Sequence, residues 1–131
     1  MKALILVPAL LATQLLTTPA RATTANEQLA AYTHEAAAAA DPARGQALFT
    51  QRQGREWSCA SCHTSRPTAE GRHASTGKQI APLAPAAHAP RFTDGAKTEK
   101  WFRRNCRDVL GRECSAGEKA DVLAWLLTFG R

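Results

Sequence analysis

The chain has 131 residues, with 17 Lys or Arg against 11 Asp or Glu and a formal charge of +6. That length accommodates one small domain with a thin core. The cations are interspersed except around Arg103, Arg104 and Arg107, and the few aromatics sit at helix-core spacing. The basic stripe with stacking aromatics that nucleic acid requires is therefore missing, and an acidic protein partner suits the charge better.

The opening segment, "MKALILVPALLATQLLTTPARA", has one lysine, an apolar run from Ala3 to Leu16, and then Ala20-Arg21-Ala22. This is the layout of a secretory signal peptide, although an uncleaved anchor is the competing reading. The run is short for a membrane-spanning helix. Cleavage after Ala22 removes Lys2 and Arg21, and leaves a periplasmic domain of residues 23–131 with a formal charge of +4. No later segment could span a membrane.

Asn26–Ala40 is rich in strong helix formers and predicts a first helix. Asp41-Pro42 then resets the chain, with Asp as N-cap and Pro at the first position of a second helix. Within that helix Gly45 and Phe49 are four apart and share a face, and Gly45 permits close approach of another backbone. From Thr64 to Thr93, Pro67, Pro82, Pro85 and Pro90 erase any apolar period. A loop of about thirty residues is too long for slack in so small a domain and predicts something to wrap around. Thr93 or Asp94 can cap a third helix from Gly95 to about Leu110. Ser115 and Glu118 form a capping box that opens the last helix, where Val122, Trp125, Leu126 and Phe129 make an apolar stripe. No segment reads as a convincing strand. The expected class is all-α: four or so helices and a long Pro-rich loop.

"CASCH" places Cys59, Cys62 and His63 in the C-x-x-C-H pattern of c-type haem attachment. One turn of helix brings two thiols to the two vinyl groups on one porphyrin edge, and the histidine directly after can donate a ring nitrogen to the iron. A thioredoxin-like redox pair needs a βαβ context that this chain lacks. A zinc site needs two further ligands, and Cys106 and Cys114 are too far apart for a second C-x-x-C knuckle. One covalent haem c is the expected cofactor. The organisation around the motif resembles class I cytochromes c, in which an N-terminal helix with a G-x-x-x-aromatic pattern crosses an aromatic C-terminal helix; Gly45, Phe49 and Trp125 fit those places.

The usual sixth iron ligand of that family is a downstream methionine, and Met1 is the only methionine in this chain. The candidates are His34, His73, His88, Asn105 and the lysines. His34 lies upstream on the first helix and reads as solvent-facing, and His73 sits in the polar loop "EGRHAST", whereas His88 lies downstream in the apolar "APAAHAP". With Trp101 set at zero and about 100° per residue, Asn105 falls near 40°, inside an arc completed by Val109, Phe102 and Cys106, while the arginines face away. A buried amide without partners costs roughly 1–3 kcal/mol, so it needs either a hydrogen bond, for instance to a loop carbonyl, or a metal. The residues alone leave both possibilities open, with His88 as the rival ligand.

The segments "TGKQIAPLAP" (residues 76–85) and "RFTDGAKTEKWFRRNC" (residues 91–106), with "GEKADVLAWL" near the end, resemble the sphaeroides haem protein family. These are small exported class I cytochromes c whose sixth ligand is an asparagine. The resemblance implies His63 as proximal ligand, Asn105 as distal ligand and a Cys106–Cys114 disulfide. It also implies that the amide leaves the reduced iron, which then binds small diatomic molecules such as oxygen or nitric oxide. A neutral, hard amide oxygen suits iron(III) better than iron(II). Trp101 and Phe102 would wall the pocket, and a nine-residue disulfide loop is worth roughly 2.5 kcal/mol. The Arg103, Arg104 and Arg107 run would be a solvated face or a contact for haem propionates or for an acidic redox partner, such as another cytochrome. Two alternatives remain: a plain electron carrier with His63/His88 ligation, and a small-substrate haem peroxidase or reductase. The latter needs a distal base and a charged partner that the sequence does not place.

Overall fold

In the computed structural model, residues 23–130 are described; the leader predicted at residues 1–22 lies outside the described residues. Thr24 starts the first helix, α1 (Ala25–Ala36), through a capping box: its hydroxyl accepts from the Glu27 N–H while the Glu27 carboxylate takes the Thr24 N–H. The helix ends at Ala36 rather than Ala40. Ala37 turns left-handed at φ 50° and donates its N–H to the His34 carbonyl. A run of alanines carries no stop signal, so this boundary is set by the need to turn into the next helix.

That helix, α2 (Pro42–Thr50), begins as predicted, with the Asp41 carboxylate accepting from the Ala43 N–H at 2.8 Å. It crosses the last helix, α5 (Ala116–Leu127), at Gly45. A Cβ at Gly45 would collide with the backbone of Asp121 and Val122, so the expected close approach is to α5. The buried Asp121 carboxylate fastens the crossing by accepting from the Asp41 N–H at 2.6 Å and from Arg44 Nε at 2.8 Å. One turn on, Phe49 packs its ring 4.9 Å from that of Trp125. Phe49, Val122, Trp125 and Leu126 form the first core cluster.

Ser115 and Glu118 cap α5 reciprocally, as predicted. Phe129, expected in the apolar stripe, is 36% exposed. The chain tightens into a 3₁₀ turn at Thr128–Gly130, which carries Phe129 off the α-helical face to stand edge-on against Trp125. A second cluster, Tyr32, Ala120 and Leu123, joins α1 to α5, and Phe92 and Phe102 pack against both clusters.

Before α4 (Gly95–Leu110) come a single turn of helix, α3 (Ala60–His63), and the Pro-rich loop. Asp94 caps α4 by accepting from the Lys97 N–H, and Gly111 ends it at φ 73°. The Tyr32 hydroxyl donates to Glu99 at 2.6 Å, and Lys119 Nζ donates to the same carboxylate at 2.8 Å, tying α4 to α1 and α5.

The loop is more ordered than its sequence implies. Contrary to the expectation of no strand, β1 (Gly71–Arg72) and β2 (Gln79–Ile80) pair antiparallel, Gly71 opposite Ile80. The Pro67 carbonyl accepts from both Leu83 and Ala84, at 2.9 Å each. The all-α class stands, with this short hairpin added.

Candidate haem site

The turn carrying the motif is built by its own serines. The buried Ser58 donates its N–H to Ser61 Oγ at 3.0 Å, and the Cys59 carbonyl accepts from the His63 N–H at 3.0 Å. These bonds make a helical turn of "CASCH" and hold Cys59, Cys62 and His63 on it. Cys59 and Ala60 pack against the Phe49–Trp125 cluster, and the His63 ring lies 6.2 Å from that of Phe49. Strand β1 presses on the turn from the other side: a Cβ at Gly71 would meet the Cys62 carbonyl. The Ala74 N–H donates to Cys62 Sγ at 3.3 Å.

Neither Cys59 nor Cys62 is in a disulfide. Burial, with a smaller contribution from Cys62, pushes the Cys59 thiol up to about 11. This is the reverse of the depressed pKa of a redox-active or metal-binding thiolate. Burial, followed by the nearby Arg91 cation, pushes His63 down to about 4. The imidazole is therefore neutral, as a metal ligand must be, and its buried Nδ1 has no hydrogen-bond partner among the described residues. Two free thiols on one helical turn and a neutral, under-satisfied buried imidazole fit a haem bound through thioethers and a histidine.

The other predicted residues divide. On α4 the buried positions are Thr98, Cys106 and Val109, with Phe102 half-buried between the two clusters and edge-on to Tyr32 at 5.8 Å between ring centroids. Asn105 lies half-buried at the margin of this stripe, and its amide has no hydrogen-bond partner among the described residues. The bond to a loop carbonyl, left open by the sequence, is not made there. Trp101, expected to wall the pocket, lies one turn from Asn105 on the same side of α4. It lies beyond the edge of the buried stripe, 44% exposed, with the Arg104 guanidinium 5.7 Å from its ring centroid. Phe102, one position on, points inward and takes the packing role.

His34 is exposed. His73 uses Nδ1 within its own hairpin turn, against the Thr76 N–H at 3.3 Å and Ser75. His88 is half-buried in the loop. Cys106 and Cys114 form a disulfide with Cα atoms 5.6 Å apart, joining α4 to the residue before the α5 N-cap, so neither is available to a metal. Sequence reasoning missed Arg91 and the Tyr32–Glu99–Lys119 group, whose members are far apart in the chain.

Comparison with known proteins gives consistent findings. A family model described as "Domain of unknown function (DUF1924)" matches residues 35–126. Cytochrome c-type protein SHP of Cereibacter sphaeroides is 53% identical over 102 residues, covering 75% of this chain and 78% of that protein. Cytochrome c'' of Methylophilus methylotrophus is 49% identical over 80 residues, 61% of this chain and 56% of that one. Among solved structures, oxidised SHP, described as an oxygen-binding cytochrome c, superposes with a TM-score of 0.76 at 50% identity over 82% of this chain and 98% of its own. The crystal structure of oxidised cytochrome c'' from M. methylotrophus gives 0.71 at 39% identity, over 79% of this chain and 93% of its own.

Proposed function

Because the chain belongs to the sphaeroides haem protein family of c-type cytochromes and carries haem c, we propose that it is an exported carrier or sensor of a small diatomic ligand, opened by one-electron reduction. Its 53% identity to SHP, whose solved structure is described as oxygen-binding, supports oxygen as a ligand, and nitric oxide shares the size and the lack of charge. The haem, when bound, would supply an iron that changes oxidation state by one electron and can bind a small ligand.

The protein's part is assigned as follows. Cys59 and Cys62 hold the porphyrin edge through thioethers. His63, neutral by burial, would hold the iron through a ring nitrogen. The Asn105 amide oxygen would be the second protein ligand, a hard donor suited to iron(III) and weak toward iron(II), so that reduction would free the iron for a small ligand beside Phe102. The Cys106–Cys114 disulfide fixes the helix next to the moving side chain. The predicted leader accounts for export to the periplasm, and no helix among the described residues is long and apolar enough to cross a membrane.

The observation that carries this reading is the Asn105 amide, set at the edge of the buried face of α4 without a hydrogen-bond partner among the described residues. Half-buried and not engaged elsewhere in the protein, this amide oxygen is available to an iron. A second reading, His63/His88 ligation, rests on His88, whose half-buried ring likewise makes no side-chain hydrogen bond among the described residues. Spectra of two variants separate them. Asn105→Ala is expected to shift the ferric spectrum and to leave ferrous binding of carbon monoxide or nitric oxide intact or faster, with His88→Ala near wild type. A ferric spectrum unmoved by Asn105→Ala, with His88→Ala converting low spin to high spin, selects the second reading.

A further inference from the structure

Tyr32 is the only tyrosine in the chain. It is buried, at 4% exposure, where α1 meets α4 and α5. A tyrosine brought inside keeps its hydroxyl on a hydrogen-bond partner, and here the partner is ionic. The hydroxyl donates to one Glu99 oxygen at 2.6 Å, and the other Glu99 oxygen accepts from Lys119 Nζ at 2.8 Å. The same ammonium lies 5.3 Å from the centroid of the Tyr32 ring. A tie between helices is complete with one of these bonds. The group as built is a phenol, a carboxylate able to receive its proton, and a cation beside both.

The rings around Tyr32 lead toward the haem-binding turn. Phe102 stands edge-on to Tyr32 with centroids 5.8 Å apart, and Phe92 lies 6.3 Å from Phe102. Phe92 and Phe102 also pack against the cluster of Phe49, Val122, Trp125 and Leu126, and so does Cys59. Phe49 in turn is 6.2 Å from the His63 ring. Contiguous side-chain packing therefore joins the phenol to the turn. The oxidisable ring within that cluster is Trp125, 4.9 Å from Phe49. Its indole N–H makes no hydrogen bond among the described residues, so it can give up an electron but has no fixed acceptor for a proton. Tyr32 has an electron to give and an acceptor for its proton already in place.

We infer that Tyr32 and Glu99 form a redox-active pair that draws oxidising equivalents away from the haem, with Tyr32 as one-electron donor and Glu99 as acceptor of its proton. This rests on the proposed reading of an oxygen-binding haem c. The oxidant is hydrogen peroxide, the two-electron reduction product of oxygen, which a protein holding oxygen at a reducible iron meets. Peroxide draws two electrons from the ferric haem as its O–O bond breaks, and Tyr32 returns one of them. The phenol O–H bond breaks, the electron goes to the oxidised haem, the proton goes to Glu99, and a neutral tyrosyl radical remains. An external one-electron donor then reduces the radical, and Glu99 gives the proton back to restore the phenol. The Lys119 ammonium beside the ring opposes a positively charged radical, so electron and proton leave together. Burial, and then the bond to Glu99, raise the Tyr32 pKa well above its ordinary value, so the group that meets the oxidant still carries its proton.

The test treats purified ferric, haem-loaded protein with one equivalent of hydrogen peroxide and freezes it within milliseconds for electron paramagnetic resonance. Ring-deuterated tyrosine supplied during growth labels Tyr32 alone. A free-radical signal that narrows with the label is expected in the wild type. Tyr32→Phe should lose that signal, and the peroxide-oxidised haem, followed by absorption, should then persist several-fold longer. Glu99→Gln should lower the radical yield, because a carboxamide cannot take up the proton, while the ferric spectrum stays that of the wild type. A wild-type radical whose shape ignores the label, or peroxide consumed with no radical, overturns the inference, and so does an equal signal in Tyr32→Phe. If Tyr32→Phe fails to fold, the labelled wild type decides. Protein that lacks covalent haem, or whose reduced form binds no oxygen, defeats the underlying reading instead, and the two failures are distinct.

Discussion

Cys59 is the residue whose environment is most at odds with reactivity. Half-buried against the Phe49–Trp125 cluster, and with its pKa pushed up to about 11 by that burial, it stays a protonated thiol at neutral pH. Exported Cys59→Ala/Cys62→Ala protein should carry no haem that survives acid–acetone extraction. The single variants should keep partial attachment, with Cys62→Ala also losing the sulfur that accepts the Ala74 N–H. Covalent haem in the double variant, measured by in-gel haem staining, would contradict the assignment of the motif. At His63 the same burial acts in the opposite direction, depressing a base and keeping a nitrogen free of protons for a metal.

At the scale of elements the decisive joint is the α2–α5 crossing. Gly45→Ala puts a methyl into the backbone of Asp121 and Val122. Overpacking of this kind costs roughly 1–3 kcal/mol and more where backbone must shift. Urea denaturation should show at least that loss, while Gly54→Ala, in open space, costs only the strain of its positive φ. Gly45, Phe49 and the Ser115–Glu118 box were legible in the sequence because each acts within one helix turn. So was the motif, whose two thiols and histidine act within five residues. The end of α1 was not, because Ala37 to Ala40 look alike and the turn is imposed from outside. The β1–β2 hairpin was hidden too: two residue pairs give no alternation, and its turn is held by the His73 ring rather than by a glycine dipeptide. Trp101 was expected beside the haem, and its packing within the protein alone is slight. The buried stripe is centred on Phe102, so Trp101 falls outside. Arg91 could have been noticed only as the arginine of an otherwise apolar, proline-interrupted segment.

Across the whole molecule, charge sets the range of pH in which the fold is firm. For Glu99, burial raises the pKa, but the bonds from Lys119 and Tyr32 outweigh it and hold the carboxyl below its ordinary value. For Glu118 the Arg112 bond dominates, with the same direction. An acid held low in the fold binds protons more readily when unfolded, so this stability is present above the ordinary glutamate range and is lost as pH falls through it. Tyr32 is the converse: burial first, and then its bond to Glu99, raise it well above the usual tyrosine value. Its contribution is complete below about pH 10 and is lost as pH rises further. Thermal melts followed by circular dichroism should fall on both sides. Glu99→Gln should flatten the acid limb and Tyr32→Phe the alkaline one; a Tyr32→Phe profile with an unchanged alkaline limb would show that the hydroxyl is not the group responsible.

Helix α4 is held near one end by Glu99, which answers to Tyr32 and Lys119, and at the other by the Cys106–Cys114 bridge. Asn105 sits between these clamps. If Asn105 leaves the iron on reduction, as proposed, a helix held in this way favours rotation about the side-chain bonds over rocking of the whole helix. Side-chain rotations take picoseconds to nanoseconds, whereas helix and domain shifts take microseconds to milliseconds. Under that proposal the position should open almost as soon as the electron arrives. After flash reduction, ligand capture should be limited by diffusion into the site and scale with ligand concentration. A rate that levels off in the millisecond range would mean that the backbone moves after all.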